Sequence, residues 1–177
     1  MDVKQMEAWL VEQVAAEPGL LDARLIAADQ VPTAHWVRMK CRYGCPNYQH
    51  KLDCPPCSPD VEEFRKVLAE YKWVAVLKVV GTSPGPADGL LLKMELALCK
   101  QGAGKALALS ARSCGACTPC QRTAEACPHP ERIRPELSSL GIDSTTLIHR
   151  VGWELIPWTD VPPKPEDIWL VSMLLID

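Results

Sequence analysis

The chain has 177 residues, 47% of them hydrophobic and 23% charged, with a formal net charge of -3. That length carries one domain with a real core, and the composition excludes a disordered chain. A mildly negative charge without any basic run excludes an electrostatic footprint for nucleic acid or an anionic membrane.

The opening stretch MDVKQMEAWLVEQVAAEPG sets Val3, Met6, Leu10 and Val14 on one helical face with Trp9 beside them, so residues 2–16 read as an amphipathic helix. Pro18 and Gly19 stop it. Asp2, Lys4, Glu7 and Glu12 interrupt the apolar run a secretion signal requires. No stretch approaches the roughly 18 apolar residues of a membrane span. The expectation is therefore a cytoplasmic protein in a reducing compartment. LLDARLIAADQVP reads as a short helix, or a strand and turn, and closes an N-terminal helical segment over 1–34.

HWVRMK at 35–40 alternates in the manner of a strand and would deliver Cys41 to a first cysteine block, CRYGCPNYQHKLDCPPC, within 35–59. Ser58 and Pro59 read as the cap and first position of a helix whose apolar face carries Val61, Phe64, Val67, Leu68 and Tyr71. WVAVLKVVG at 73–81 is nearly all apolar and β-branched, the pattern of a central buried strand. A turn-rich loop over 81–89 leads into a helix over 88–101, which GAG at 102–104 ends.

KALALSA at 105–111 alternates as a strand and feeds a second block, SCGACTPCQRTAEACPHP, within 112–135. RPELSSLGID predicts a short helix with Pro135 at its start, and Asp143 is placed to cap STTLIHRV, which ends at Gly152. IWLVSMLLI at 168–176 is a last apolar strand. Strands interspersed with helices predict an α+β or α/β fold: a single domain over 1–177, one sheet with helices packed on it, and both cysteine loops carried at one end of the sheet.

Nine cysteines are an odd number, and a reducing compartment disfavours a disulfide scaffold in a chain able to build its own core. Such cysteines point instead to metal or to catalysis. Cys114, Cys117, Cys120 and Cys127 run C-x2-C-x2-C-x6-C-P, close to the bacterial ferredoxin run but with a longer last interval. A thiolate at every third residue lets a tight loop wrap three corners of a cubane, and the longer interval lets the chain return with a fourth. Zinc stands as the alternative, because C-x2-C pairs also make a tetrahedral thiolate cage. Cys41, Cys45, Cys54 and Cys57 are less diagnostic, and a second cluster or a structural zinc both suit them. Cys57 falls just before the expected helix start, where the dipole favours a thiolate. Cys99, alone on a helix, reads as a small core residue. His50 and His129 lie within the blocks and can substitute as ligands, although such histidines more often hydrogen-bond near a site or face water.

CRYGCPNYQHKLDCPP, the SPDVEEFRKVLAEY that follows, and CGACTPCQRTAEACPHPERIRPELSSLGID together resemble domain-of-unknown-function family 2284, described as predicted metal-binding proteins. The likeness runs from about residue 37 to the last strand. It implies a cysteine-ligated metal, iron–sulfur in kind, at Cys114, Cys117, Cys120 and Cys127. It extends to Cys41, Cys45 and Cys54, while the position of Cys57 varies.

The expected function is that of an iron–sulfur protein carrying one or two [4Fe-4S] clusters, which passes electrons to a protein redox partner or senses redox state. A zinc module for partner binding is a second reading. A third is an enzyme whose cluster has an open iron site. The radical-SAM spacing C-x3-C-x2-C is absent, as are a Ser/His/Asp signature, a P-loop and a G-x-G-x-x-G run. Arg134, Glu136 and Asp143 can line a site, although helix starts and caps account for them equally well.

Overall fold

The fold is taken from a computed structural model that describes residues 1–81, 87–157, 163–164 and 167–177. Its centre is a four-stranded antiparallel sheet in the order β1 (Leu20–Ala27), β2 (Trp73–Val80), β4 (Trp169–Ile176), β3 (Ala106–Leu109). The last strand of the chain is inserted between the second and third. β2 and β4 pair along their whole lengths, Trp73 against Ile176 through Val80 against Trp169.

Both faces of this sheet are covered, which explains why β2 and β4 read as continuous apolar runs rather than alternating ones. Ala75, Leu77 and Val79 of β2 face α1 (Val3–Ala16) and α4 (Ala87–Lys100), packing with Met6, Leu10, Leu91, Met94 and Leu98. Val74 and Val76 point the other way, with Met173 and Leu175 of β4, toward α3 (Val61–Leu68), α5 (Ser144–Arg150) and residues 137–142. The result is an α+β sandwich with the sheet as its middle layer. Among the described residues no helix is long and apolar enough to cross a membrane.

Several local expectations are corrected. The 1–34 segment is not helical throughout: β1 and a 3-10 turn at Ala28–Gln30 occupy its second half. Residues 35–40 are not a strand but the start of α2 (His35–Gly44). The period that matters there is four, because Val37 and Cys41 are both buried on one helical face. Helix α3 starts two residues later than the Ser-Pro signal predicts. Asp60 caps it in a reciprocal box, accepting from the Glu63 amide at 2.8 Å while the Glu63 carboxylate accepts from the Asp60 amide at 3.0 Å. The Ser58 hydroxyl is engaged elsewhere, donating to the Ser139 carbonyl.

The helix expected from Pro135 shrinks to a 3-10 turn at Ser138–Leu140, because residues 135–137 form a short parallel bridge with Ser110 instead. The Ser110 amide donates to the Pro135 carbonyl at 2.8 Å, and the Leu137 amide donates to the Ser110 carbonyl at 3.0 Å. The helix over 88–101 is α4, shifted by one residue toward the N-terminus. Cys99 is exposed, not buried, because α4 turns Leu90, Leu91, Met94 and Leu98 inward and Cys99 falls off that face. Asp143 caps α5 as expected, accepting from the Thr146 amide.

Candidate metal centre

The first cysteine loop hangs between α2 and α3 and rests on the 3-10 turn. Helix α2 packs against that turn. The Arg38 guanidinium ties the two together by donating to the Ser139 carbonyl at 2.9 Å and to the Pro59 carbonyl. Gly141 makes the close approach possible. Its φ is +79°, and a Cβ there would meet Val61 Cγ2 at 2.6 Å. The amide of Ala34, just before α2, donates to the Gly141 carbonyl at 2.8 Å.

These contacts put Cys41 in the last part of α2, Cys45 at its end, and Cys54 after a chain of turns through Asn47 and Lys51. All three thiols line one open cavity of about 810 Å³. Cys41 and Cys54 are buried and Cys45 is half-buried. Glu136 lines the same cavity, its carboxylate accepting from the Ser138 and Ser139 amides at 3.0 and 2.8 Å. Asp53 is buried beside Cys54.

Burial is the main cause of this loop's unusual electrostatics. It pushes the Cys54 thiol up to about 12, with the carboxylates of Asp53 and Glu136 and the Cys45 and Cys41 thiols adding to the effect. The Cys41 thiol is raised as well, by burial first and then by Glu136 and Cys45, with Arg38 opposing. Burial likewise raises the Glu136 carboxyl, against the hydrogen bonds from Ser138 and Ser139. Ionising these thiols is unfavourable until positive charge enters. As soft sulfur donors these thiols suit a thiophilic cation or cationic cluster, whose binding would displace protons.

The second loop, residues 111–134, leaves the end of β3 and is closed at its neck by the Ser110–Glu136 bridge. Cys114, Cys117, Cys120 and Cys127 are all half-buried. The Cys127 sulfur accepts from the His129 amide at 3.4 Å. Cys114 also borders a small recess walled by Arg112, Arg132 and Arg134, although Arg134 is held by Glu95 at 2.5 Å and Arg112 donates to the Gly81 carbonyl. Among the described residues, no group of three or more His, Cys, Asp or Glu is gathered closely enough to hold a metal ion. Both cysteine sets fit a metal group by their spacing and their sulfur chemistry, not by gathered positions.

The two loops lie against each other, a relation the sequence spacing does not disclose. The Asp53 carboxylate accepts from the Cys114 amide at 2.6 Å. Asn47 donates to Ser113 Oγ at 2.7 Å, Lys51 Nζ to the Cys117 carbonyl at 3.4 Å, and Arg122 to the Gln49 carbonyl at 2.9 Å. Cys57 is exposed and faces the second loop, with its Sγ 3.6 Å from the Arg122 carbonyl. It precedes the N-cap of α3 by three residues, so it is not at the helix terminus where it was expected. His50 is exposed. Asp53 and the cross-loop partners escaped the sequence reading. The only available signal was an acidic residue directly before Cys54.

No curated protein and no solved structure matches the chain. Residues 24–176 match the family described as predicted metal-binding protein (DUF2284). That span takes in the second half of β1, both cysteine loops and the whole of the last strand. The chain belongs to this family of predicted metal-binding proteins.

Proposed function

We propose that this protein carries iron–sulfur clusters on its two cysteine loops, and that it uses them in the cytoplasm to pass electrons to a protein partner or to register redox state. Cys114, Cys117, Cys120 and Cys127 hold a [4Fe-4S] cluster, and Cys41, Cys45 and Cys54 hold the second group. The observation that carries this reading is the hydrogen-bonded contact between the loops, through Asp53–Cys114, Asn47–Ser113 and Lys51–Cys117. It sets two thiol-rich segments side by side.

Such clusters supply one-electron chemistry when bound, with a potential tuned by burial, local charge and hydrogen bonds to sulfur. The chain's own residues provide those levers. Asp53 fixes the entry to the second loop by holding the Cys114 amide. The His129 amide donates to the Cys127 sulfur. Burial and the Asp53 and Glu136 carboxylates surround the first thiols with low polarity and negative charge. The negative charge favours the more oxidised state of whatever the thiols hold, and burial favours whichever state has the smaller net charge.

Anaerobic analysis of iron and acid-labile sulfide tests the reading. A brown protein containing both, with colour bleached by dithionite, is the expected result. Cys117→Ser then loses the iron of the second site, whereas Cys99→Ser on the exposed face of α4 keeps it. A folded, colourless, sulfide-free protein loaded with zinc establishes the alternative of a zinc staple, for which four thiolates are equally good donors.

A further inference from the structure

The motif CPPC contains two cysteines that the fold separates. Cys54 is 5% exposed and stands on the cavity wall. Cys57 follows after two prolines, with its amide bonded back to the Cys54 carbonyl at 2.9 Å, and its sulfur emerges on the outer surface against Arg122. The cavity thus has three thiols on its wall, not four.

The other walls are mainly apolar, formed by Met39, Tyr43, Pro46, Tyr48 and Pro55. Two of the polar groups among them, Asn47 and Glu136, are already engaged. Asn47 donates to Ser113 Oγ, and the Glu136 carboxylate is held by two backbone amides. The volume of about 810 Å³ lies within the range of small-molecule sites, roughly 300–1,000 Å³. A wall of mostly apolar surface selects for an apolar body rather than a polar one.

We propose that the first loop holds its metal group through Cys41, Cys45 and Cys54 alone, and that the cavity admits a small, largely apolar organic molecule bearing one nitrogen, oxygen or sulfur donor that completes the coordination. This rests on the iron–sulfur reading above. A cubane normally takes four cysteines, so three leave one iron without a protein thiolate. An open metal position is the feature that separates reactive metal sites from closed structural ones. The location of the thiols turns whatever they hold toward the cavity. Cys57 belongs to the contact between loops instead.

The test uses the full chain with its iron, prepared without air. Cys57→Ala is expected to retain wild-type iron and sulfide, while Cys45→Ala loses the share of the first site. Cys45→Ser, which keeps a small polar side chain at a half-buried helix end, serves if Cys45→Ala does not fold. In the dithionite-reduced protein, carbon-13 cyanide is expected to show hyperfine coupling to the cluster in wild type and in Cys57→Ala, and none in the Cys45 variant. In a titration followed by the same spectrum, 4-phenylimidazole should bind at least about ten-fold more tightly than imidazole, since the phenyl ring leaves water for the apolar wall.

Loss of iron in Cys57→Ala, or absence of cyanide coupling in a protein with full iron and sulfide, overturns the three-thiol assignment and leaves the iron–sulfur reading standing. Equal affinity for the two imidazoles overturns the apolar ligand class. A protein without sulfide in every preparation removes both readings together.

Discussion

The two cysteine loops have the same chemistry and opposite physical settings. The first is clamped between two helices and the 3-10 turn Ser138–Leu140, and two of its thiols are withdrawn from water. The second is an excursion of some two dozen residues closed at its neck, with one 3-10 turn (Pro130–Arg132) as its regular structure among the described residues and four half-buried thiols. The difference teaches that cysteine spacing specifies which sulfurs can share a group, while burial decides how much order exists before that group arrives. The first loop borrows its shape from the hydrophobic core. The second borrows from the first, chiefly through Asp53, and must obtain the rest from its ligand.

The largest blow to the first loop is expected from beneath it. Leu140 is 1% exposed, and its turn supplies the Ser139 carbonyl that both Arg38 and Ser58 bond. Leu140→Ala should cost about 2–5 kcal/mol in thermal or urea unfolding, as buried Leu truncations do. A cost below about 1 kcal/mol would show that the loop does not rest on the core.

Next in size is the link between the loops. Asp53→Asn weakens the charge-assisted acceptor of the Cys114 amide and should cost about 1–3 kcal/mol. Backbone amide exchange at Cys114 should quicken while that of β2 is unchanged, and unchanged exchange at Cys114 would sever the proposed dependence of one loop on the other.

In metal-stripped, reduced protein, trypsin should cut within 111–134, at exposed Arg122 or Arg132, several-fold sooner than at Arg38 or Lys40 on α2. Equal rates would erase the contrast between the loops.

The smallest effect emerges only in alkali. Below the unfolded thiol pKa of 9.0, Cys54 is neutral in both folded and unfolded states, and its contribution is fully present. Above it the unfolded chain releases the proton while folded Cys54 retains it until about 12. Stability of the metal-free protein should therefore fall as pH rises from 9 toward 12, with Cys41 adding to the slope because its thiol is raised in the same direction. Cys54→Ala should flatten that slope in urea midpoints measured across the range.

Much of the fold was legible locally. The helix over 2–16, the strands over 73–81, 105–111 and 168–176, and the Asp143 cap follow from periodicity and capping chemistry that act within a few residues. The errors arose where a distant partner outweighed the local signal. Six residues alternating at 35–40 became helical because Val37 and Cys41 find a buried surface on a turn about 100 residues away. Pro135 failed to open a helix because Ser110 claimed the backbone groups of Pro135 and Leu137.

By itself the sequence determined that this is an α+β chain built to present thiols in two blocks, since pattern, spacing and the kind of donor atom are properties of neighbours along the chain. Only the tertiary structure decided that β4 enters between β2 and β3, that the two blocks touch, and that Cys54 turns inward while Cys57 turns out. Those outcomes depend on desolvation and on hydrogen bonds between residues far apart in sequence, and no local preference encodes them.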